Sequence, residues 1–160
     1  MKENEYSYKW EGRVGGPGTY LVGDPCYAFN ESWLAVLDSW YDNSGAFTRN
    51  AWYYPVAVKS NPLGAGVFPV PGKGCNAMAL STGFGDGTLY SDKGDEFGID
   101  AGMFGVVPEC AAERNSGMAA YCIADEAVVK LDNGKVTLYD GDKPVVSVRL
   151  GGNDSAMRSL

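Results

Sequence analysis

The sequence predicts a mainly β domain: a small closed or partly open antiparallel β-barrel with one amphipathic helix. Three observations carry that prediction. The 160 residues include 22 glycines and 8 prolines, which break the chain too often for long helices. The segments between these breaks are short apolar or alternating runs of strand length. One stretch alone switches to helical spacing.

Taken in order, Tyr6, Tyr8 and Trp10 alternate with Ser7 and Lys9, giving a first strand with one aromatic face. Gly15-Gly16-Pro17-Gly18 turns the chain. Thr19-Tyr20-Leu21-Val22 is a second strand that stops at Asp24-Pro25, because proline has no amide to give a ladder. Asn30 reads as an N-cap. Beyond it Trp33, Leu34, Val36, Leu37, Trp40 and Tyr41 fall on one broad helical face, and Asp42-Asn43-Ser44-Gly45 ends the helix. That stripe is expected to cover an open end or face of a sheet.

From Ala51 the pattern is all strand. Trp52 to Val58 forms one run. A Gly/Pro-rich connection from Asn61 to Gly74 holds Val67-Phe68 as a short edge strand. Ala77 to Thr82 and Thr88 to Tyr90 follow, then a charged turn from Ser91 to Glu96. Phe97 to Pro108 reads as one apolar strand containing Asp100. Ala127–Leu131 and Val136–Tyr139 flank Asn133-Gly134, a strong hairpin signal because both turn residues tolerate positive φ. Asp140 to Lys143 turns again, and Val145 to Leu150 completes a meander. The length fits one β-rich domain over residues 1–160, with a loose tail over 151–160.

Composition excludes several functions. There is no histidine, so Ser-His-Asp and Cys-His catalysis and His-based zinc sites are ruled out. Acid–base work would fall to Asp, Glu, Lys, Tyr or Cys. Cys26, Cys75, Cys110 and Cys122 form no CxxC pair, so no zinc framework is expected; the acids form no EF-hand loop, and no oxygen-ligand metal site is expected either. The formal net charge of -7 repels phosphate backbones, and no direct nucleic-acid binding is expected. No apolar run is long enough to span a membrane, and the N-terminus carries no signal-like segment. The expected location is the cytoplasm, with reduced thiols.

Three Asp-Gly bends stand out: Gly23-Asp24-Pro25-Cys26-Tyr27, Gly85-Asp86-Gly87 and Gly98-Ile99-Asp100-Ala101-Gly102. Carboxylates in tight bends either line a polar pocket or brace their own turns. Asp24 before proline is placed to cap the following turn, or to face a mouth beside Cys26 and Tyr27. Gly85-Asp86-Gly87 lacks a following Gly-Lys-Ser/Thr, so it is an ordinary turn or a ligand contact but not a P-loop. Asp100 lies in an uncharged run and is expected to be half-buried. It would serve either as a perturbed functional acid or as a partner of backbone amides in a neighbouring turn. The candidate ligand-binding set is Asp24, Cys26, Tyr27, Asp86, Tyr90 and Asp100. No residue is assigned as catalytic, and no cofactor is expected.

Val22 to Tyr27, Gly85 to Tyr90 and Gly98 to Pro108 together resemble motifs of a group of small uncharacterised bacteriophage and bacterial proteins. The resemblance implies an origin, and no reaction with it. On this reading the chain is a non-catalytic binding protein, phage-encoded and acting in a host cytoplasm. It would inhibit a host defence protein or sequester a small polar, nucleotide-like ligand. The alternatives are an Asp-dependent hydrolase or lyase using Asp24, Asp86 and Asp100 with Tyr27 or Cys26, and a virion structural component.

Overall fold

Two antiparallel sheets lie face to face, and an α-helix packs on the outer face of one of them. The computed structural model describes residues 8–44, 47–48, 56–57, 61–83 and 86–150. Thirteen strands run in chain order: β1 Lys9–Gly15, β2 Gly18–Gly23, β3 Phe47–Thr48, β4 Val56–Ala57, β5 Gly66–Pro69, β6 Asn76–Ser81, β7 Gly87–Tyr90, β8 Glu96–Ile99, β9 Met103–Pro108, β10 Ala119–Ile123, β11 Ala127–Asp132, β12 Lys135–Asp140 and β13 Lys143–Arg149. Helix α1 spans Trp33–Ser44. One sheet has the order β1-β11-β12-β13 and the other β10-β2-β9-β6-β5, with β3-β4 and β7-β8 as separate hairpins. The mainly β class with one helix is as expected. Among the described residues no sheet closes into a barrel: the closed form gives way to an open sandwich. Alternating strands serve either architecture equally well.

The layering follows from side-chain direction. Along β9, Phe104 and Val106 point into the core between the sheets, where they join Val136, Leu138, Val146 and Val148. Met103 and Val107 point the other way, into a second core with Val36 and Trp40 of α1. Every residue of β9 is therefore buried, as expected of a strand covered on both faces. On β6, Met78 and Leu80 face the sandwich, while the small Ala77 and Ala79 face the helix. The alanines let α1 come close enough for the Trp40 indole N–H to donate to the carbonyls of Gly64 (2.9 Å) and Ala79 (3.1 Å).

Three local expectations need correction. Asn30 is not the residue that opens α1: the first helical bond runs from Val36 N–H to the Ser32 carbonyl. Leu34 does not belong to the buried stripe and is 74% exposed, because Trp33, Val36, Leu37, Trp40 and Tyr41 follow i, i+3, i+4, i+7, i+8 and Leu34 does not. The run from Phe97 to Pro108 is two strands: the chain bends at Asp100–Gly102 and divides β8 from β9. The expected N-terminal residues through Ser7, most of the Trp52–Val58 strand, Gly85 and the 151–160 tail lie outside the described residues.

The charged turn after β7 covers exposed sheet edges. Asp92 takes the Ser147 N–H on its carboxylate (2.9 Å) and gives its own N–H to the Ser147 carbonyl (3.0 Å). Ser91 bridges Val148 of β13. Asp95 accepts hydrogen bonds from the Ser91 hydroxyl (2.7 Å) and from Tyr121 of β10. One turn thus ties edge strands of both sheets, the positions where unpaired backbone invites strand addition.

Candidate functional site

The first and third Asp motifs meet where β2 ends. β2 lies beside β9, with Gly23 opposite Gly105, which delivers Asp24 beneath the bend between β8 and β9. Asp24 is fully buried. Its carboxylate accepts three backbone hydrogen bonds: from Cys26 N–H (3.0 Å), Asp100 N–H (2.8 Å) and Ala101 N–H (2.7 Å). It caps the 3-10 turn Pro25–Ala28 and fastens that turn to the distant bend. Of the two roles open to this acid, the coordinates place it as a brace.

Gly105 makes the close approach possible. A Cβ there would lie far inside the normal contact distance from the Met78 carbonyl oxygen and 3.0 Å from Pro25 Cγ. The buried Pro25 ring therefore sits directly on the middle of β9.

Above this floor lies a shallow cleft of about 490 Å³. Cys26, Tyr27 and Asp100 line it, together with Glu31, Trp33 and Arg114. Phe29 is buried and stacks on Trp33 with ring centroids 6.4 Å apart, which holds the indole at the rim. Arg114 Nη2 donates to the Cys26 carbonyl (3.2 Å), and the Glu113 and Arg114 amides both donate to the Ala28 carbonyl (2.7 and 3.2 Å). The Glu113 carboxylate accepts the Asn30 N–H at 2.6 Å. That bond, and then the Ser32 hydroxyl, hold its pKa below the ordinary value.

The six candidates divide. Cys26, Tyr27 and Asp100 share the cleft, and Asp24 supports it from below. Asp100 itself is exposed, which corrects the expected half-burial: its amide is bound by Asp24, while its carboxylate sits at the surface beside the Tyr27 phenol. Asp86 is also exposed, one residue before Gly87, which pairs with Ile99. Asp86 and Asp100 therefore flank the same end of the β7–β8 hairpin. Tyr90 pairs with Glu96 at the opposite end, three ranks and about 10 Å along the ladder. Sequence reasoning missed Arg114 and Glu31 as cleft residues. Trp33 was legible only as part of a helical stripe, and the segment holding Arg114 shows no periodicity at all.

The chemistry of the cleft is quiet. Burial first, then the Asp24 carboxylate, pushes the Cys26 thiol up to about 12, so the nucleophilic thiolate is suppressed at neutral pH. Burial and the neighbouring Asp100 push the Tyr27 phenol up as well. Among the described residues no three Cys, Asp or Glu side chains gather as metal ligands.

These shifts set an alkaline stability limit. The folded Cys26 holds its proton to about 12 against an ordinary thiol value of 9.0, so between those values the unfolded chain binds fewer protons than the folded one. Stability then falls as pH rises. Tyr8 and Tyr121, both raised from 10.0 to about 12, act in the same direction at higher pH. Urea midpoints measured from pH 8 to 11 should decline, and the decline should be shallower in Cys26→Ala, because one of the thiols that hold their proton in the folded state is removed. An unchanged pH profile in that variant would contradict the thiol's assignment.

Comparison with protein-family models, curated proteins and solved structures returns no match. Among the described residues no helix is long and apolar enough to cross a membrane.

Proposed function

We propose that this chain is a non-catalytic binding protein that holds a small polar ligand of nucleoside type in the cleft above Asp24. One observation carries the reading: Tyr27 and Trp33 supply aromatic surface beside Asp100, Glu31 and Arg114 in one concave site. An aromatic rim accepts a flat base, carboxylates accept ligand hydroxyls, and a guanidinium accepts a phosphate. A floor tied down by three bonds to a buried carboxylate keeps these groups in place, which lowers the ordering cost of binding. The phage origin suggested by the motif resemblance fits a sequestering role.

The hydrolase or lyase reading is weaker for a physical reason. Asp24 spends its carboxylate on backbone amides and has no exposed surface, while Cys26 is held as the thiol. A cooperating set of acids around one reacting atom is missing its first member.

Calorimetric titration with nucleosides, nucleoside monophosphates and nucleoside diphosphates tests the proposal. Binding is expected to weaken about tenfold in Trp33→Ala through lost stacking, and to weaken in Asp100→Asn without loss of fold. No binding at millimolar ligand, or equal affinity in both variants, would overturn it.

A further inference from the structure

At the C-terminal end of β9, in a groove separate from the cleft, two thiols from separate segments touch. Cys75 immediately precedes β6 and Cys110 lies in the 3-10 turn Glu109–Ala111 that follows β9. The β6–β9 ladder pairs Met78 with Val106. Continued past its end, that register brings Cys75 alongside Glu109 and Cys110. The Cys110 thiol donates to Cys75 Sγ at 3.9 Å. Cys110 is exposed and Cys75 is half-buried. Both line a groove of about 600 Å³ with Arg13, Tyr20, Asn76 and Glu109, wide enough to admit a small thiol reagent.

We propose that Cys75 and Cys110 form a reversible dithiol–disulfide site, oxidised by exchange with a low-molecular-weight disulfide that enters this groove. The exposed Cys110, as thiolate, attacks one sulfur of the small disulfide. A mixed disulfide forms on Cys110, and the first small thiolate leaves and takes up a proton. Cys75, losing its proton to solvent, then attacks Cys110 Sγ. The Cys75–Cys110 bond forms, the mixed disulfide breaks, and the second small thiol departs. The two protein thiols are oxidised and one small disulfide is reduced to two thiols. Burial, followed by the Cys110 thiol, raises the Cys75 pKa, with Lys73 opposing. The thiol that resists deprotonation thus acts in the second, intramolecular step, where proximity compensates. The new bond would join the start of β6 to the exit of β9 and close a long loop of chain.

The test incubates the folded full-length chain with oxidised glutathione and maps disulfides by peptide mass spectrometry. The expected product is a Cys75–Cys110 link that forms at least tenfold faster than any adduct on Cys26 or Cys122. It should be accompanied by a rise of about 5–10 °C in Tm that dithiothreitol reverses. In Cys75→Ser the glutathione should remain trapped on Cys110, and in Cys110→Ser Cys75 should react slowly. Glutathione adducts without an internal link would overturn the proposal. So would a link formed only in denaturant, or equal reactivity of all four cysteines.

Discussion

Replacing Asp24 with alanine is expected to destabilise the protein by about 3 kcal/mol, because three backbone amides lose a charged acceptor in a buried setting. Thermal melting should drop by about 6–12 °C on that estimate for a chain of this size. Asp24→Asn should also destabilise, since its NH₂ must replace an oxygen that now accepts either the Cys26 amide or the Asp100 and Ala101 amides. Asp100→Ala and Asp86→Ala remove exposed carboxylates and should stay within about 0.5 kcal/mol of the parent. A melting point for Asp24→Ala within about 2 °C of the parent would show that the amides find other partners and that the brace is dispensable. Because Asp24 fixes both the 3-10 turn and the Asp100 bend, the same variant should also lose the nucleoside binding proposed for the cleft, even at temperatures where it is folded.

The second large effect belongs to Gly105. Gly105→Ala sets a methyl against the Met78 carbonyl and Pro25 at the centre of β9, where both sides are paired, to Gly23 and to Ala79. Met78 cannot move without disturbing its ladders to Val67 and Val106, so a cost of about 2–3 kcal/mol is expected from overpacking. Displacement of Pro25 should also tilt the turn carrying Cys26 and Tyr27 and change the near-ultraviolet circular dichroism of the aromatic rim. Gly98→Ala is the matched control: a Cβ there meets only the Tyr27 hydroxyl, at 3.9 Å. Equal denaturation midpoints for the two glycine variants would contradict the close approach.

Local signals were readable in the sequence, and long-range ones were not. Asn133-Gly134 marked the β11–β12 hairpin, and both residues adopt positive φ (50° and 79°). The helix was legible because its apolar positions repeat. Leu34 was misassigned because a broad stripe was drawn where the true one is narrower. The β8–β9 division was marked locally by Asp100 and Gly102, but the apolar residues on either side, Phe97 and Ile99 before and Met103 to Val107 after, made the stretch read as one continuous strand. β10 went unseen because Ala119-Ala120-Tyr121-Cys122-Ile123 is short and only weakly patterned. At the site, the capping role of Asp24 was visible as one of two options from the Asx-Pro pair alone. Its bonds to residues 76 and 77 positions away were not, since they use backbone amides that every residue carries. For Asp100 the sequence singled out the right position, but it is the main chain that matters for the brace. The wider pattern is that carboxylates here grip amides: Asp92 holds Ser147, and Asp140 holds Ala124 and Asp125. In Asp140 the two amides pull the carboxyl below its ordinary range.

The reach of the Asp24 contact also bears on the order of assembly. The meander β11–β13 joins neighbours through tight turns, so it can nucleate quickly, whereas β2 must wait for β9 and β10, whose partners lie some eighty to a hundred positions downstream. Such distant closures are slow. The concave site is therefore completed late, after the central sheet has docked. In a stopped-flow refolding experiment, the near-ultraviolet signal of the cleft aromatics should recover later than the far-ultraviolet signal.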